Sequence, residues 1–270
     1  MTVFEALLLG ILQGFTEFLP ISSDGHLTLA ETYFHFQASR FLFFDVLLHA
    51  ATLIAVCIFY RRRLLELIQV LLTWFSKEPR SPERDYDKNL IRAITVSTIV
   101  TGAIGIIFRD QFALVRDYLW GVGLSFILTG VMLTATRWAP PQKENPEFRI
   151  PGSIWVFAVI LGVAQAVAIL PGVSRSAMTI SSALLLGMSR VTAVEYSFLI
   201  CIPAILGACL LELPHAEITV GWEAALVGFI SSLISGMIFL WFLVWIVRKG
   251  HFHQFAYYVI PLGLYLLFIA

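Results

Sequence analysis

Two stretches decide how this chain is read: LGILQGFTEFLPISSDGH, from Leu9 to His26, and LGVAQAVAILPGVSRSAMT, from Leu161 to Thr179. Each has Leu-Gly, a Gln three residues after that Gly, five or six further residues and then a Pro, and a Ser-rich turn. The copies lie about 150 residues apart in a chain of 270. Both are polar islands in apolar surroundings. Broken apolar segments at corresponding places in two halves mark an internally duplicated membrane protein whose halves meet at one polar site.

Composition supports that reading. Hydrophobic residues make up 59% of the chain and charged residues 13%, with a mean hydropathy of +0.84. A soluble domain carries about 25% charged residues, so an integral membrane protein is expected. The net charge of zero implies no polyanionic partner, and no nucleic acid is expected. Cys57, Cys201 and Cys209 lie in apolar runs without metal-ligand spacing. On one helix Cys201 and Cys209 would stand about 12 Å apart, too far for a disulfide. The N-terminus lacks a basic n-region, and Glu5, Gln13 and Glu17 interrupt its apolar run, so it does not read as a cleaved signal peptide.

The fold expected is all-α and membrane-integral. Six apolar runs, 41–60, 93–108, 118–137, 191–212, 223–247 and 255–270, read as spanning helices, with a kink at Pro203 in the fourth. Residues 3–34 and 153–188 are apolar but broken, the first by Pro20 and SSDGH, the second by PGVSRS. Neither half of either region reaches the roughly 20 residues a crossing needs. Both therefore read as re-entrant helical hairpins with polar tips near the midplane, where irregular backbone is tolerated only inside protein or along a cavity. The chain is read as one membrane domain, 1–270, made of two inverted repeats at about 1–137 and 150–270. Segment 77–92 reads as a solvated loop with at most a short surface helix.

Loop charge orients the molecule. Loop 61–92 holds Arg61, Arg62, Arg63, Lys77, Arg80, Arg84, Lys88 and Arg92; loop 137–152 adds Arg137, Lys143 and Arg149. Arg190, Arg248 and Lys249 join them if the spans alternate, which puts fourteen of eighteen basic residues on one face. Arg40, Arg109 and Arg116 fall on the other face. The rich face is expected to be cytoplasmic, with both termini outside and the two hairpins entering from opposite sides.

Ionisable residues within a membrane are expensive, about 2.5–3.5 kcal/mol for a central Arg on insertion scales. They mark pairs, water-lined cavities or chemistry. The guanidinium of Arg175 offers a two-pronged fork for phosphate oxygens, flanked by the hydroxyls of Ser174 and Ser176. The turn at Gly172 and the following helix start add backbone N–H groups. A structural ion pair with Glu17 or Asp24 is the other reading. Glu17 stands four residues after Gln13, on the same helical face. A buried carboxylate there serves as a general base, as a Mg²⁺ ligand, or as a counter-ion to Arg175. Gln13 is a polar ligand or a packing hydrogen bond. Ser22, Ser23 and His26 offer a nucleophile with a base, or phosphate-binding hydroxyls, or a helix cap, and Gly25 permits the turn. Asp24 is an N-cap, or an extra anion that needs a metal or Arg175 to neutralise it. Glu195 is an intramembrane site candidate or a partner of Arg190 or Arg175. Asp45 and His49, four apart, read as a structural hydrogen-bonded pair near the interface.

With those residues in view, the chain resembles the undecaprenyl-pyrophosphate phosphatase family, also called the bacitracin-resistance protein family. The resemblance rests on Gln13-Gly-Phe-Thr-Glu17-Phe-Leu-Pro20-Ile-Ser22-Ser23-Asp24-Gly25-His26 and on Pro171-Gly172-Val-Ser174-Arg175-Ser176-Ala-Met-Thr179. It extends to Gly187, Ser189, Arg190, Glu195, Ser197 and Phe198 and to nearly the whole chain. It implies a multi-pass enzyme of the bacterial inner membrane with six spanning helices, two re-entrant hairpins and a site open to the outer face. Such an enzyme removes the terminal phosphate of undecaprenyl pyrophosphate and recycles the lipid carrier for cell-wall synthesis. It implies a divalent cation, Mg²⁺ or alternatively Ca²⁺, and bacitracin resistance. The chain departs from the family pattern at Asp24, where Thr or Ser is common, at Ala177 in place of Gly, and at Ser182-Ala183 in place of a Gly-rich pair. Asp24 adds charge beside the pyrophosphate and bears on substrate preference and metal demand.

The expected catalytic residues are Glu17, Ser23, His26 and Arg175. Gln13, Ser22, Gly25, Ser174, Ser176, Thr179 and Glu195 are expected to bind substrate, and Glu17, with Asp24 as a second candidate, to hold the metal. Ser23 would be the nucleophile, with His26 or Glu17 taking its proton; a water nucleophile is the alternative. The partner is a polyprenyl pyrophosphate lipid in the bilayer, and a homodimer is the assembly considered. Inverted repeats with broken helices also suit a transporter or flippase of a polyprenyl phosphate, and a phosphatase of another lipid phosphate is the remaining alternative.

Overall fold

The first helix begins where the sequence supplies a capping box. Thr2 Oγ1 accepts from the Glu5 N–H, and Glu5 returns a carboxylate oxygen to the Thr2 N–H at 2.7 Å. This computed structural model describes residues 1–34, 42–75, 81–116, 118–140 and 153–270. Arg40, Lys77, Arg80, Lys143 and Arg149, counted in the charge argument, lie outside the described residues.

Among the described residues the chain is helical and has no strand. The elements are α1 (Val3–Phe18), α2 (Ser23–Phe34), α3 (Leu42–Phe59), α4 (Arg61–Leu72), α5 (Pro82–Ile107), α6 (Arg109–Arg116), α7 (Leu119–Ala135), α8 (Ile154–Val167), α9 (Arg175–Leu185), α10 (Arg190–Glu212), α11 (Trp222–Lys249) and α12 (Ala256–Ile269). Six helical stretches, Leu42–Phe59, Pro82–Ile107, Leu119–Trp138, Arg190–His215, Trp222–Lys249 and Phe252–Ile269, are long and apolar enough to cross a bilayer. The protein is a multi-pass membrane protein. The six stretches coincide with the six expected from hydropathy, and α10 runs on through Pro203.

Three helical pieces fall where a loop was expected. The helix of the second span starts at Pro82 rather than near residue 93, because Ser81 caps it, accepting the Arg84 N–H at 3.2 Å, and Pro82 and Glu83 suit its first turn. Helix α4 occupies the arginine-rich segment 61–72 and leaves Leu65 and Leu72 exposed beside Arg61 and Arg62, the pattern of a helix lying on a membrane surface. Helix α6 covers 109–116. Arg63 of α4 binds three carboxylates at once: Glu66 at 2.9 Å, Asp87 of α5 at 2.6 Å and Glu195 of α10 at 2.9 Å. One guanidinium thus ties three helices at the basic end of the molecule.

The packing crosses between the halves. Helix α1 lies against α11, and α8 lies against α5. In lipid, helices associate through close backbone approach and interhelical hydrogen bonds rather than through hydrophobic exclusion of water. Both seams follow that rule. Gly10 and Gly14 sit on Gly228, Ser231, Ser232, Ser235 and Gly236 of α11, and the Ser235 hydroxyl donates to the Gly10 carbonyl at 3.3 Å. On the other side, the Ser97 hydroxyl donates to the Ala158 carbonyl at 2.6 Å, and Thr101 donates to the Gly162 carbonyl at 2.9 Å. One apolar core draws Phe18, Val56 and Phe126 together with Phe157, Phe198 and Leu240, so it contains both halves.

A Cβ on Gly14 would lie 2.0 Å from Ser235 Oγ and 2.5 Å from the backbone of Gly236. Gly14→Ala is therefore expected to destabilise the protein by at least the roughly 1–3 kcal/mol of an overpacked core, seen as a lower thermal midpoint in detergent. Gly207→Ala in α10, where a methyl meets nothing within 4 Å, is expected to be neutral or to stabilise by up to about 1 kcal/mol, leaving the midpoint unchanged or higher. Equal midpoints for the two variants would show that the α1–α11 seam is not tight.

Candidate active site at the meeting of the two turns

Glu17 lies in the last turn of α1, buried at 8% exposure. The residue before a proline is pushed into extended backbone. Leu19 adopts φ −64°, ψ 147°, and α1 ends. The turn closes at Ser22, the one described non-glycine residue in the left-handed region, with φ +69°. Such a conformation costs about 1–3 kcal/mol and gathers at functional sites. It is held from both sides: Ser22 Oγ accepts the Gly25 N–H at 3.3 Å, and its carbonyl accepts the His26 N–H at 3.3 Å. This opens α2 and directs Ser23 back toward α1. The Ser23 hydroxyl donates to Glu17 Oε2 at 2.8 Å.

The second turn is built differently. Gly172 has φ +92°, and a Cβ there would meet the Val122 carbonyl of α7 at 2.6 Å, so glycine is required twice over. Thr129 of α7 pins the turn by accepting the Ser174 N–H at 3.0 Å and donating to the Gly172 carbonyl at 3.0 Å. Ser174 caps α9 by accepting the Ala177 N–H at 3.2 Å. Arg175 is then the first residue of α9. Its Nη2 donates to Glu17 Oε1 at 2.8 Å, across 158 residues of sequence.

The two turns touch. A Cβ on Gly25 would lie 2.8 Å from Gly172 Cα, and Ser176 Oγ donates to the Leu19 carbonyl at 3.4 Å. Glu17 stands at the junction and accepts from Arg175, from Ser23 and from Gln13 Nε2 at 3.2 Å. Two polar atoms here are buried without a partner: Arg175 Nη1 and Gln13 Oε1. A buried unpaired donor on a charged group is costly, and such a group is a natural hold for an anion. The guanidinium also sits over the Phe198 ring, 5.8 Å from its centre. On the open side, His49 of α3 places Nε2 3.8 Å from Glu17 Oε2 and 3.9 Å from Asp24 Oδ1, while its Nδ1 lies 3.6 Å from Asp45 Oδ1. The Asp24 side chain is half exposed at 50%. A hydroxyl bonded to a buried carboxylate, beside a guanidinium with a free donor, is the equipment for nucleophilic attack on an anionic centre.

A bacitracin resistance protein family model, BacA, matches residues 6–265. The chain belongs to the BacA family. It is 39% identical over 267 residues to an undecaprenyl-diphosphatase of Treponema denticola, covering 98% of this chain and 96% of that one. Proteins of the same description from Korarchaeum cryptofilum and Carboxydothermus hydrogenoformans are 38% and 36% identical; each alignment covers 99% of this chain, and 99% and 97% of theirs.

Of the residues singled out in sequence, the structure brings Gln13, Glu17, Ser23 and Arg175 into one hydrogen-bonded group, with Asp24 at its edge. The others stand elsewhere or are occupied. His26 turns away from Ser23: its Nε2 lies 2.8 Å from the Tyr258 hydroxyl of α12, and its Nδ1 lies 2.7 Å from the Ser22 carbonyl. Ser22 and Gly25 shape the turn, the Ser22 hydroxyl accepting the Gly25 N–H. The Ser174 hydroxyl lies 3.1 Å from that of Ser176, and Thr179 donates to the Arg175 carbonyl at 2.8 Å and meets Ser197 Oγ at 2.5 Å. These three buried hydroxyls fix the backbone that carries Arg175. Glu195 is held by Arg63, not by Arg190 or Arg175. His49 pairs with Asp45 as the sequence spacing suggested, and it also comes near Glu17 and Asp24, which that spacing did not show. Those two carboxylates come from α1 and α2.

The Glu17–Arg175 pair is buried, so removing one partner strands a charge, at a cost of about 3–5 kcal/mol. Arg175→Met alone is expected to lower the unfolding midpoint more than the double variant Glu17→Gln, Arg175→Met. A double variant no more stable than Arg175→Met would show that the pair is not coupled.

Proposed function

We propose that this protein is an undecaprenyl-diphosphatase, cleaving undecaprenyl pyrophosphate to undecaprenyl phosphate and inorganic phosphate. Family membership, with full-length relatives of that description, supports the activity. Bacitracin resistance follows from the family. The observation that carries the site assignment is the division of labour at Glu17, which holds the Ser23 hydroxyl with one oxygen and Arg175 with the other, leaving Arg175 Nη1 free.

In this reading the terminal phosphate docks on Arg175 Nη1. Ser23 Oγ attacks its phosphorus as Glu17 Oε2 takes the hydroxyl proton, at a distance of 2.8 Å that needs no rearrangement. The phosphorus–oxygen bond to the bridging oxygen breaks, and undecaprenyl phosphate departs. Water then attacks the phosphoserine phosphorus as the Oγ–phosphorus bond breaks; Glu17 returns its proton to Ser23 Oγ, and both hydrogens of the water leave with the inorganic phosphate. Glu17, not His26, is the base because only Glu17 reaches Ser23. The oxygen donors Glu17, Asp24 and the unpartnered Gln13 Oε1 fit a hard divalent cation such as Mg²⁺, which is held by one or two carboxylates with substrate phosphate and keeps several waters. Among the described residues no group of three His, Cys, Asp or Glu converges as a ready-made metal site, so substrate oxygens would complete the shell. The cation, when bound, neutralises charge developing on the leaving phosphate.

We read α1–α2 and α8–α9 as re-entrant hairpins of two inverted repeats. Their helices of 16, 12, 14 and 11 residues support this, being shorter than the roughly 20 a crossing needs. The crosswise packing of α1 on α11 and α8 on α5 supports it as well. Family membership supports an inner-membrane setting, and charge counting supports a site open outward.

Phosphate release from undecaprenyl pyrophosphate by the purified protein with Mg²⁺ tests the proposal. Ser23→Ala is expected to lower the rate by about 10²- to 10⁴-fold, Arg175→Ala by at least as much, and rapid quench of the native protein should trap phosphoserine. Full activity of Ser23→Ala would make water the nucleophile. No release by the native chain with any prenyl length, alongside lipid movement between two compartments, would make it a transporter.

A further inference from the structure

A pocket with mostly apolar walls and two arginines lies at the opposite, basic end of α3. It is a cavity of about 250 Å³ where the α3–α4 junction, the start of α10 and the end of α11 converge. Phe59, Tyr60, Trp241 and Trp245 form aromatic walls, Val244 adds apolar surface, and Arg190 and Arg248 stand at its rim. Ten residues of α3 separate His49 from Phe59, about 15 Å along the helix, so this pocket is not part of the site around Glu17.

Its charge balance favours an anion. The one carboxylate in its lining, Glu195, is already held by Arg63 at 2.9 Å. Arg190 spends one donor on the Arg248 carbonyl at 3.4 Å and packs its guanidinium against Gly250, the left-handed residue that ends α11. That contact holds Arg190 at the negative end of the α11 dipole, and Arg190 forms no ion pair with another described residue. Arg248 forms no ion pair with another described residue. Arg61, Arg62 and Lys249 adjoin the rim in sequence.

Its walls favour a ligand that arrives from the bilayer. Trp241 and Trp245 are 61% and 45% exposed on a membrane-crossing helix, so the side of the cavity they form faces lipid. The volume suits a phosphate headgroup and excludes a whole lipid, whose tails would remain outside along the tryptophans. Basic pockets between spanning helices on the positively charged face bind anionic headgroups in this way.

We propose that this pocket is a binding site for an anionic glycerophospholipid of the surrounding leaflet, its phosphate on Arg248 and Arg190 and its acyl chains against Trp241 and Trp245. The site is independent of the phosphatase reaction and would stand if that reading fell.

The test is native mass spectrometry of the purified full-length chain titrated with phosphatidylglycerol or with phosphatidylcholine, alongside inorganic phosphate alone and undecaprenyl phosphate as competitors. Phosphatidylglycerol should be retained in preference to phosphatidylcholine, and Arg248→Gln should weaken that preference about fivefold, the worth of one basic residue near an anionic surface. Arg248→Lys should restore most of it, which a merely structural role would not predict. Trp241→Ala should weaken retention of both lipids. Equal retention of the two lipids would overturn the proposal, as would a phosphatidylglycerol preference indifferent to Arg248→Gln. Competition by inorganic phosphate alone would overturn the lipid assignment, and displacement at equimolar undecaprenyl phosphate would reassign the pocket to the polyprenyl carrier.

Discussion

The ion pair between Glu17 and Arg175 is the constraint around which the rest of the molecule is arranged. Each charge alone inside an apolar bundle would be costly. Together they compensate one another only if two helix ends, 158 residues apart in sequence, are brought within 2.8 Å. That requirement accounts for much of the backbone nearby. Pro20 must stop α1 just beyond Glu17, Ser22 must accept a left-handed conformation, and Gly172 must admit the carbonyl of Val122. Even so, the pair is incomplete, since Arg175 and Gln13 each keep a buried polar atom without a partner. Gln165 Oε1 and Ser181 Oγ are likewise buried without a partner, so what distinguishes Arg175 is that its unpartnered atom belongs to a charged group.

The surrounding scaffold answers a different demand. The seams between α1 and α11 and between α8 and α5 are made of glycine, serine and threonine rather than interlocking leucines, because lipid offers no hydrophobic drive for one helix to find another. Hydroxyls in these seams donate to carbonyls of the facing helix, as Ser97 does to Ala158 and Ser235 to Gly10. The same economy explains why Ser174, Ser176 and Thr179 are spent on holding the second turn. Ser23 stands out among them because its hydroxyl donates to a carboxylate rather than to a carbonyl or another hydroxyl.

Hydropathy made the six spans legible, since a crossing helix must be apolar for most of its length. It hid α4 and the first turns of α5, where amphipathic and capping signals carry the information: Arg61–Leu72 reads as a charged loop until its periodicity is followed, and Ser81-Pro82-Glu83 is a helix start inside a hydrophilic run. At the site, the two motifs were legible as polar interruptions, and Glu17, Ser23 and Arg175 followed from them. His26 was offered beside Glu17 as the base because it stands three residues from Ser23. In the structure the Ser23 hydroxyl meets Glu17 of α1, while the His26 ring meets Tyr258 of α12. His49 was passed over for the converse reason. Its setting between Glu17 and Asp24 depends on three helices meeting, and sequence spacing carries no such information. Glu195 showed the same limit, since its partner Arg63 lies 132 residues away.

The order in which the pair is made has a consequence for biosynthesis. Glu17 leaves the ribosome 158 residues before Arg175. At about 5–20 residues per second the carboxylate waits roughly eight to thirty seconds for its counter-charge. The α1 seam is kept waiting longer still, because its partner α11 begins at Trp222. Through that interval the first helix pair carries an uncompensated acid and an unmatched strip of glycines into the insertion machinery. A chain cut short before α9 therefore keeps its buried carboxylate without the guanidinium that answers it, and its glycine strip without the helix that covers it.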